Sequence, residues 1–431
     1  MFSFLKNALA DKDIRKRLGF TLFIFAIFRL GTHIPVPGVN AQALSKLGNT
    51  GILGMLNTFA GGALQRYSLF AMGVSPYITA SIIMQLLQMD LVPKFTEWAE
   101  QGEVGRRKLN QATTYLGIIL GFVQSLGLSF GFNRLSGLGL IKNPSMSTYI
   151  TIALILTTGT MFLVWLGEQI TRKGVGNGLS MIIFAGIVAQ VPQDVYRFFS
   201  AMIHGATGEK LRNGVLILLG VIVLLVLAIV VVVVMESGQR RIPIHHSKKA
   251  SGAKHTAHLP LKINAAGVIP VIFASSFITT PQTIFSLMNT QDAGPVQQFF
   301  MNLFNLQHWM GAVFYTVLLI AFTYFYALVQ VNPEKVAENL QKQGGYIPRV
   351  RPGKDTESYI TYLLNRLSFV GALYLVVIAV APIIVGLIWK IPTNMALGGT
   401  SLLIVVGVAM ETAKQIEGRM IKRRYRGFLY N

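Results

Sequence analysis

Charge and sulfur chemistry are what this sequence lacks most clearly. Of its 431 residues none is cysteine and only 13% are charged, with 17 acidic side chains against 38 Lys and Arg. The absence of cysteine excludes a disulfide framework and a thiolate metal site. A phosphate-binding loop is missing too, because the nearest approach, Pro352-Gly353-Lys354-Asp355, has neither the upstream glycine nor the final hydroxyl. We therefore expect no nucleotide hydrolysis, no other enzymatic activity and no cofactor.

Hydrophobic residues make up 52% of the chain and lie in long runs. About 20 apolar residues are needed to cross ~30 Å of hydrocarbon as a helix, and ten runs approach that length. They are too continuous for the strands of a membrane barrel, so the sequence predicts an all-α membrane protein. The predicted spans are 18–36, 74–91, 109–130, 148–170, 178–196, 213–235, 264–288, 309–330, 367–389 and 397–413.

Basic residues decide the predicted orientation. With the N-terminus in the cytoplasm, 29 of the 38 Lys and Arg fall on the cytoplasmic side, as the positive-inside rule requires. The first span ends in Pro35-Val36-Pro37-Gly38 rather than in a small-residue cleavage site, so we do not expect it to be a removed signal peptide. Both termini are therefore predicted to lie in the cytoplasm.

Ionisable residues are nearly absent from the predicted spans. Arg29 lies near the outer end of the first span, where it can snorkel, and Glu168 and Glu411 lie near cytoplasmic ends. Ion-coupled transporters usually hold such groups at mid-depth, so this pattern argues against a coupled carrier of small solutes. Four histidines in a basic connection have no carboxylate or thiolate beside them, and we interpret them as solvated rather than metal-bound. They are His245, His246, His255 and His258.

Two short stretches recur in the second half of the chain. Gly73-Val74-Ser75-Pro76-Tyr77-Ile78 corresponds to Gly267-Val268-Ile269-Pro270-Val271-Ile272, and Ser180-Met181-Ile182-Ile183 corresponds to Ser401-Leu402-Leu403-Ile404. They fall in the second and fifth spans of each half, which predicts a five-helix unit used twice. Because five is odd, the second copy crosses the membrane in the opposite direction. Inverted repeats with Gly/Pro-broken helices mark a pathway between the halves.

The repeat places aliphatic residues at corresponding positions of the two halves. Residues four apart, such as Val74 and Ile78, share a helix face. If the halves face each other, these side chains form a ring that excludes water and ions when closed and parts around a bulky chain. Ordinary helix packing is the alternative for any one of them, and the paired symmetry favours the ring. Its predicted members are Val74, Ile78, Leu179, Ile183, Ile272 and Ile404.

Three amide side chains stand in the predicted spans, Gln85 in the second, Gln124 in the third and Asn264 at the start of the seventh. Hydrogen bonds between such groups average only ~0.6 kcal/mol in membrane proteins, whereas a buried amide without a partner costs ~1–3 kcal/mol. A contact between helices that is held by a few such bonds is closed at rest and opens easily. Three unrelated packing hydrogen bonds are the alternative.

Two short amphipathic segments lie outside the spans. Residues 1–17 are either an interfacial helix or a plain basic flank. In the first external connection, Asn49-Thr50 can cap a helix that Gly61-Gly62 end. At roughly 15 Å this helix is too short to span, so it either folds back between the halves or lies on the bilayer surface. Its apolar residues are Ile52, Leu53, Met55, Leu56 and Phe59.

Two long cytoplasmic connections, 236–262 and 331–365, are rich in Lys and Arg and poor in apolar residues. We interpret them as protruding arms or hairpins rather than separate domains. Their charge reflects either topology and attraction to anionic lipids, at ~1 kcal/mol per charge near the surface, or a bulky anionic partner. The first arm has no aromatic residue, so any RNA contact would be made through phosphates rather than by base stacking.

Several motifs along nearly the whole chain occur in a specific order. In the first half they are Phe28-Arg29-Leu30-Gly31, Gly61-Gly62-Ala63-Leu64, Pro76-Tyr77-Ile78-Thr79-Ala80-Ser81 and Gly167-Glu168-Gln169-Ile170. In the second half they are Gly238-Gln239-Arg240-Arg241, Leu259-Pro260-Leu261-Lys262, Gly267-Val268-Ile269-Pro270, Arg351-Pro352-Gly353 and Gly398-Gly399-Thr400-Ser401. With these motifs the chain resembles the SecY family, the channel subunits of the bacterial general protein-secretion translocase.

The resemblance implies ten transmembrane helices in two inverted five-helix halves around a central pore. The halves are expected at 18–200 and 201–413, after an N-terminal cytoplasmic helix at 1–17 and before a basic cytoplasmic tail at 414–431. The aliphatic ring then narrows the pore, with Val74 and Leu179 where relatives often have Ile. The short helix at about 50–64 then becomes a plug that seals the outer funnel.

The resemblance also implies a lateral gate between the second and third spans on one side and the seventh and eighth on the other. Gln85, Gln124 and Asn264 fall on its polar cluster. The arms are implied to dock the SecA motor and ribosomes. The basic residues expected to do so are Arg240, Arg241, Lys248, Lys249 and Arg351.

The implied partners are the membrane subunits SecE and SecG, signal peptides, nascent chains and anionic lipids. We therefore predict a protein-conducting channel in the plasma membrane of a bacterium. It passes unfolded secretory polypeptides across the membrane and releases membrane-protein helices sideways into lipid, with energy supplied by partners. A secondary transporter with inverted repeats and a membrane scaffold without a pore are the rival interpretations.

Overall fold

The computed structural model describes residues 10–40, 57, 60–89, 92–136, 141, 143–202, 208–246, 257–285, 294–306, 308–389 and 399–427. Within them the chain is helical apart from three short strands. The first-half helices are α1 Lys12–Gly31, α2 Ser75–Leu87, α3 Pro93–Glu100, α4 Gly102–Ser136, α5 Met146–Lys173 and α6 Gly178–Met202. The others are α7 Glu209–Ser237, α8 Ile269–Phe285, α9 Pro295–Leu303, α10 Trp309–Val331, α11 Pro333–Lys342, α12 Lys354–Trp389 and α13 Gly399–Gly427.

Each of the ten predicted spans overlaps one of these helices. Among the residues that the structure describes, six segments are long and apolar enough to cross a membrane. They lie in α4, α5, α6, α7, α10 with α11, and α12. α2 and the first part of α8 are apolar but shorter. The multi-pass helical architecture is therefore confirmed, while the count of ten remains a prediction that fits these helices.

The two short apolar helices, α2 and α8, both begin after a glycine with a positive φ angle and have a proline in their first turn. Gly73 and Gly267 have φ angles of +57° and +64°, a region that glycine enters without steric cost. Pro76 and Pro270 follow in the first turn of α2 and α8, where a missing N–H leaves no helical bond unmade. The break makes α2 begin at Ser75 and α8 begin at Ile269.

The two halves contact each other at two helix–helix interfaces. On one side α8 packs against α2 and α4, and on the other α13 packs against α6. One large apolar core runs between them, with buried residues from α1, α2, α5 and α6 of the first half and from α8, α10, α12 and α13 of the second. Residues that act on a pathway between the halves must therefore lie at these two contacts.

The arms form one small platform rather than two separate hairpins. Strand β1, Gln239–His246, pairs antiparallel with β2, Ala257–Lys262, and on its other edge with β3, Gly345–Tyr346. Ile242 and Ile244 of β1 are buried against Leu340 of α11 and Ile360 of α12. The few apolar residues of the arms are thus concentrated in one shared core.

Candidate pore and gate

The six aliphatic residues predicted to form the ring, called the collar from here on, stand near the starts of four helices. They are Val74 and Ile78 at the start of α2, Leu179 and Ile183 at the start of α6, Ile272 in α8 and Ile404 in α13. The first-turn bonds Ile78 N to Val74 O (3.1 Å) and Ile272 N to Val268 O (3.3 Å) place the two paired isoleucines equivalently after their Gly–Pro breaks.

All six collar side chains contribute to the same apolar core between the halves. Five of them are at most 9% exposed, and Leu179 is half-buried against the same cluster. None of these side chains can form a hydrogen bond, so their contact is held by apolar burial and dispersion alone. The side chains therefore point into the middle of the bundle and not outward to lipid.

Glycines allow the collar helices to approach closely. A Cβ atom on Gly178, at the start of α6, would lie 1.7 Å from the carbonyl oxygen of Gly167 in α5. A Cβ atom on Gly407 of α13 would lie 2.2 Å from Val268, just before α8. Small residues at such contacts let membrane helices pack backbone against backbone, and they set the depth at which Leu179, Ile183 and Ile404 enter the core.

A polar chain links the two halves beside the collar. Gln124 of α4 donates from Nε2 to Oγ1 of Thr280 in α8, at 3.2 Å, and Thr280 Oγ1 lies 3.3 Å from Thr79 Oγ1 of α2. We call these three residues the seam. It joins α2, α4 and α8, three of the four helices expected at a lateral gate, and does not include α10.

The seam borders a small cavity. Its lining includes Gln124, Thr279 and Thr280 together with Ser75 and Leu128. The cavity volume is about 10 Å³, close to what a single water molecule requires. Polar side chains and space for water make this contact less tightly sealed than the purely apolar collar.

The other two predicted gate amides do not join this seam. Gln85 donates to Ser81 Oγ of its own helix at 3.3 Å, and its Oε1 atom is buried without a hydrogen-bond partner in the described part of the chain. Asn264 donates to Glu236 Oε1 at 2.7 Å and to Gly267 O at 2.9 Å, at the start of α8. The structure therefore brings Gln124 to the seam and leaves Gln85 and Asn264 elsewhere.

Sequence reasoning missed Thr79 and Thr280. Each hydroxyl is also placed to donate to a carbonyl one turn earlier in its own helix, Thr79 to Ser75 O and Thr280 to Ser276 O. Such bonds are the usual way in which Thr is satisfied inside a helix. Because a hydroxyl has one proton, the contact between the two threonines is a hydrogen bond only when one of them turns its proton away from its own helix. Nothing in the sequence distinguishes a threonine that also reaches across a helix contact.

Glu236 was also missed. Its carboxylate, at the end of α7, accepts from Asn264 Nδ2 and from the Tyr374 hydroxyl at 3.2 Å, and its carbonyl oxygen accepts from Lys414 Nζ at 2.7 Å. The group joins α7, α12 and α13 to the segment that leads into α8. It ties the segment before α8 to the rest of the second half.

The predicted plug residues Ile52, Leu53, Met55, Leu56 and Phe59 lie outside the described residues. The chain that follows them is packed inside the first half. Arg29 Nη1 donates to Gly61 O at 3.1 Å, so this arginine holds the end of the predicted plug segment. A Cβ atom on Gly62 would lie 2.7 Å from Oε1 of the buried Gln190 in α6.

The predicted docking residues that the structure describes are on the outside of the arm platform. Arg240 and Arg241 of β1 and Arg351, just before α12, are exposed. Lys248 and Lys249 lie outside the described residues. Arg240 and Arg241 stand on β1, and Arg351 follows β3 by five residues in the loop before α12, so all three belong to the arm platform.

Comparison with known proteins identifies relatives along the full chain. A family profile described as SecY matches residues 68–413. Protein translocase subunit SecY of Bacillus subtilis (strain 168) is 51% identical over 435 residues, and protein translocase subunit SecY 1 of Lactobacillus kefiranofaciens subsp. kefiranofaciens is 51% identical over 432, each covering 100% of both chains.

Two solved structures share the fold at low sequence identity. "The structure of a protein conducting channel" matches with a TM-score of 0.66 and 19% identity, covering 94% of this chain and 93% of the other. "Sec61 in the Canine ribosome-channel complex from the endoplasmic reticulum" matches with a TM-score of 0.63 and 19% identity over the same shares.

Proposed function

This chain belongs to the SecY family, and from that membership we propose how it works as a protein-conducting translocation channel. It is a channel subunit and not an enzyme. One observation carries the mechanism: aliphatic residues paired by the internal repeat lie together in a single buried core between the halves. Sealing, lateral opening and docking are each proposed in relation to that core.

The collar is proposed to be the seal of the closed channel. Aliphatic side chains without hydrogen-bonding groups leave no stable position for water or ions, so a closed ring dewets. The same side chains form no specific contact with a translocating polypeptide and can move apart around side chains of any kind. The collar residues thus combine a tight seal with indifference to sequence, which an export channel needs.

The seam is proposed to be the lateral gate. It is held by Gln124, Thr280 and Thr79, and hydrogen bonds of this kind are worth only ~0.6 kcal/mol each in a membrane. An apolar signal sequence or membrane helix that inserts between α2 and α8 replaces part of this contact by apolar packing. Separation of α2 and α4 from α8 then opens a route into lipid.

Residues 50–64 are proposed as the plug. Support comes from the end of this segment, because Arg29 donates to Gly61 O and Gln190 lies against Gly62. These contacts hold the end of the segment between α1 and α6, beside the core that contains the collar. A helix leading into this position covers the outer side of the seal.

The arm platform is proposed to face the cytoplasm of a bacterium, with the chain in the inner membrane and both termini inside. Its arginines Arg240, Arg241 and Arg351 are proposed to dock the SecA motor and ribosomes. Support for the ribosome comes from the similar Sec61 chain, which was solved in a ribosome-channel complex. SecE and SecG are the proposed membrane partners, and anionic lipids complement the basic surface.

Reconstitution tests this function against a small-solute carrier. Proteoliposomes that contain this chain with SecE are given SecA, ATP and a precursor with a signal sequence, and protease-protected precursor is measured. We expect protection that requires ATP, SecA and the signal sequence. Vesicles without this chain are the control. Exchange of small solutes without precursor uptake would contradict the proposal and favour the carrier.

A further inference from the structure

A short helix between the seventh and eighth predicted spans presents an exposed apolar face. In α9 the side chains of Val296 and Phe299 are 68% and 50% exposed, and their spacing of three residues places them on one side of the helix. Gln298 lies on the opposite side. The helix follows α8 and precedes α10, so connectivity puts it at the end of the bundle away from the arm platform.

α9 is held against the beginning of α10. The turn between them is closed by His308 N, which donates to Asn305 O at 3.0 Å. A Cβ atom on Gly311 would lie 2.0 Å from that same oxygen, so the turn lies directly on the α10 backbone. The rings of Phe304 and Phe314 also meet edge to face, with centroids 5.6 Å apart. α9 therefore has a fixed position relative to a membrane span.

That position is at the depth of the membrane interface. On α10, Trp309, Val313 and Val317 are 71%, 55% and 57% exposed and stand four residues apart, which is the pattern of a face turned to hydrocarbon. Trp309 is the first residue of the span, and tryptophan prefers the boundary between headgroups and acyl chains. A helix fixed beside Trp309 lies at this boundary.

α9 itself has no charged residue. From residue 294 to residue 331 the sequence has no Asp, Glu, Lys or Arg. Binding to anionic lipid or to a charged protein surface is therefore unsupported, whereas an uncharged apolar face beside Trp309 matches hydrocarbon. We propose that α9 lies flat in the outer bilayer interface, with Val296 and Phe299 inserted among the acyl chains and Gln298 facing water. It anchors the outer end of the α8–α10 pair in lipid.

The natural absence of cysteine makes a direct depth measurement possible. Single cysteines at Val296, Phe299 and Gln298 are spin-labelled in the complete channel complex, which is reconstituted in vesicles of neutral lipid with and without an anionic lipid. Collisions with oxygen, which concentrates in hydrocarbon, are compared with collisions with a water-soluble nickel chelate. Val313→Cys provides the hydrocarbon reference, and Glu334→Cys, exposed on α11, provides the water reference.

We expect the oxygen-to-nickel collision ratio at Val296→Cys and Phe299→Cys to be several-fold higher than at Gln298→Cys and to approach that of Val313→Cys. The ratios should not change with anionic lipid. Ratios like that of Glu334→Cys at all three positions would overturn the proposal, since α9 would then stand in water. Shielding of Val296→Cys and Phe299→Cys from both reagents would also overturn it, because a protein surface and not lipid would cover the face.

Discussion

The collar residues are common aliphatic side chains, and their effect depends on where they meet. Each half contributes equivalent positions through the repeated Gly–Pro break before α2 and α8. Burying an aliphatic side chain contributes ~1.5–3 kcal/mol, so several together close the core without any polar bond. Such a collar excludes water and has no preferred partner, as the proposed seal requires.

Replacing both Ile78 and Ile272 with Gly should make the resting channel leak ions. Loss of these side chains opens space in the apolar core, and each truncation lowers stability by about 2–5 kcal/mol. Conductance of planar bilayers that contain the complex without motor or substrate measures the leak. Ile152→Gly is the matched control, since Ile152 is 1% exposed and lies in a different core cluster. An unchanged resting conductance in the double variant would rule out the collar as the seal.

Thr280→Val should increase the fraction of time that the channel is open by roughly threefold, the factor for one lost bond of ~0.6 kcal/mol. The change removes the hydroxyl that accepts from Gln124 and lies beside Thr79. Single-channel recording without substrate gives the open fraction. Thr323→Val is the control, because the Thr323 hydroxyl donates to Leu319 O of its own helix. Equal behaviour of both variants would remove Thr280 from the gate.

At the scale of helices and strands, the arms form a unit whose apolar core is distinct from the core of the spans. Their shared core contains Ile242, Ile244, Leu340 and Ile360, and it is separate from the core that contains the collar. Regions with separate cores open independently of one another. Loosening of the arm platform should therefore leave the core that contains the collar intact.

Ile360→Ala should destabilise the arm platform by about 2–5 kcal/mol and leave the spans intact. Ile360 is fully buried in that core, and its truncation leaves a cavity beneath β1. Hydrogen exchange of the amides in β1 and β2 should accelerate, while exchange in α5 should not. Tyr362→Ala serves as the control, since Tyr362 is 53% exposed on the same helix. Uniformly faster exchange in all helices would show that the arms and spans unfold together.

At the scale of the whole molecule, the charge distribution supports the proposed docking of partners on the arm platform. The formal net charge is +21. The exposed Arg240 and Arg241 lie on β1, and the exposed Arg351 lies in the loop between β3 and α12. A basic surface of this kind increases the rate and specificity of binding to acidic proteins and to phosphate groups, and salt weakens it. The platform is thus suited to a partner that binds and dissociates repeatedly.

Arg351→Glu should reduce motor-driven precursor uptake severely while the complex still assembles. The side chain is exposed, so reversal of its charge repels an acidic partner without disturbing a core. Uptake into proteoliposomes is measured together with binding of the motor at low and high salt. Lys335→Glu, an exposed reversal on α11, controls for the general loss of positive charge. Normal uptake by Arg351→Glu would exclude this residue from the docking site.

The helical architecture was predictable because hydrocarbon imposes a simple rule on the chain. Every backbone group must be bonded within its own segment, so apolar length alone indicates α4, α5 and α7. The burial of Ile78 and Ile272 in one core was predictable for a related reason, since the repeat places these two residues at equivalent points. The strands of the arms were not, because their apolar residues are few and gain burial only when β1, β3 and α12 come together.

The sequence by itself determined that this is a multi-pass helical membrane protein of the SecY family, with paired aliphatic residues between its halves. Periodicity, apolar length and motif order are local properties and can be read along the chain. Only the tertiary structure decided that Gln124 meets Thr280 while Gln85 and Asn264 bond elsewhere, and that Glu236 ties the base of α8 to α12 and α13. A polar side chain in lipid bonds to whichever group packing brings within about 3 Å, and that choice depends on contacts between segments far apart in the sequence.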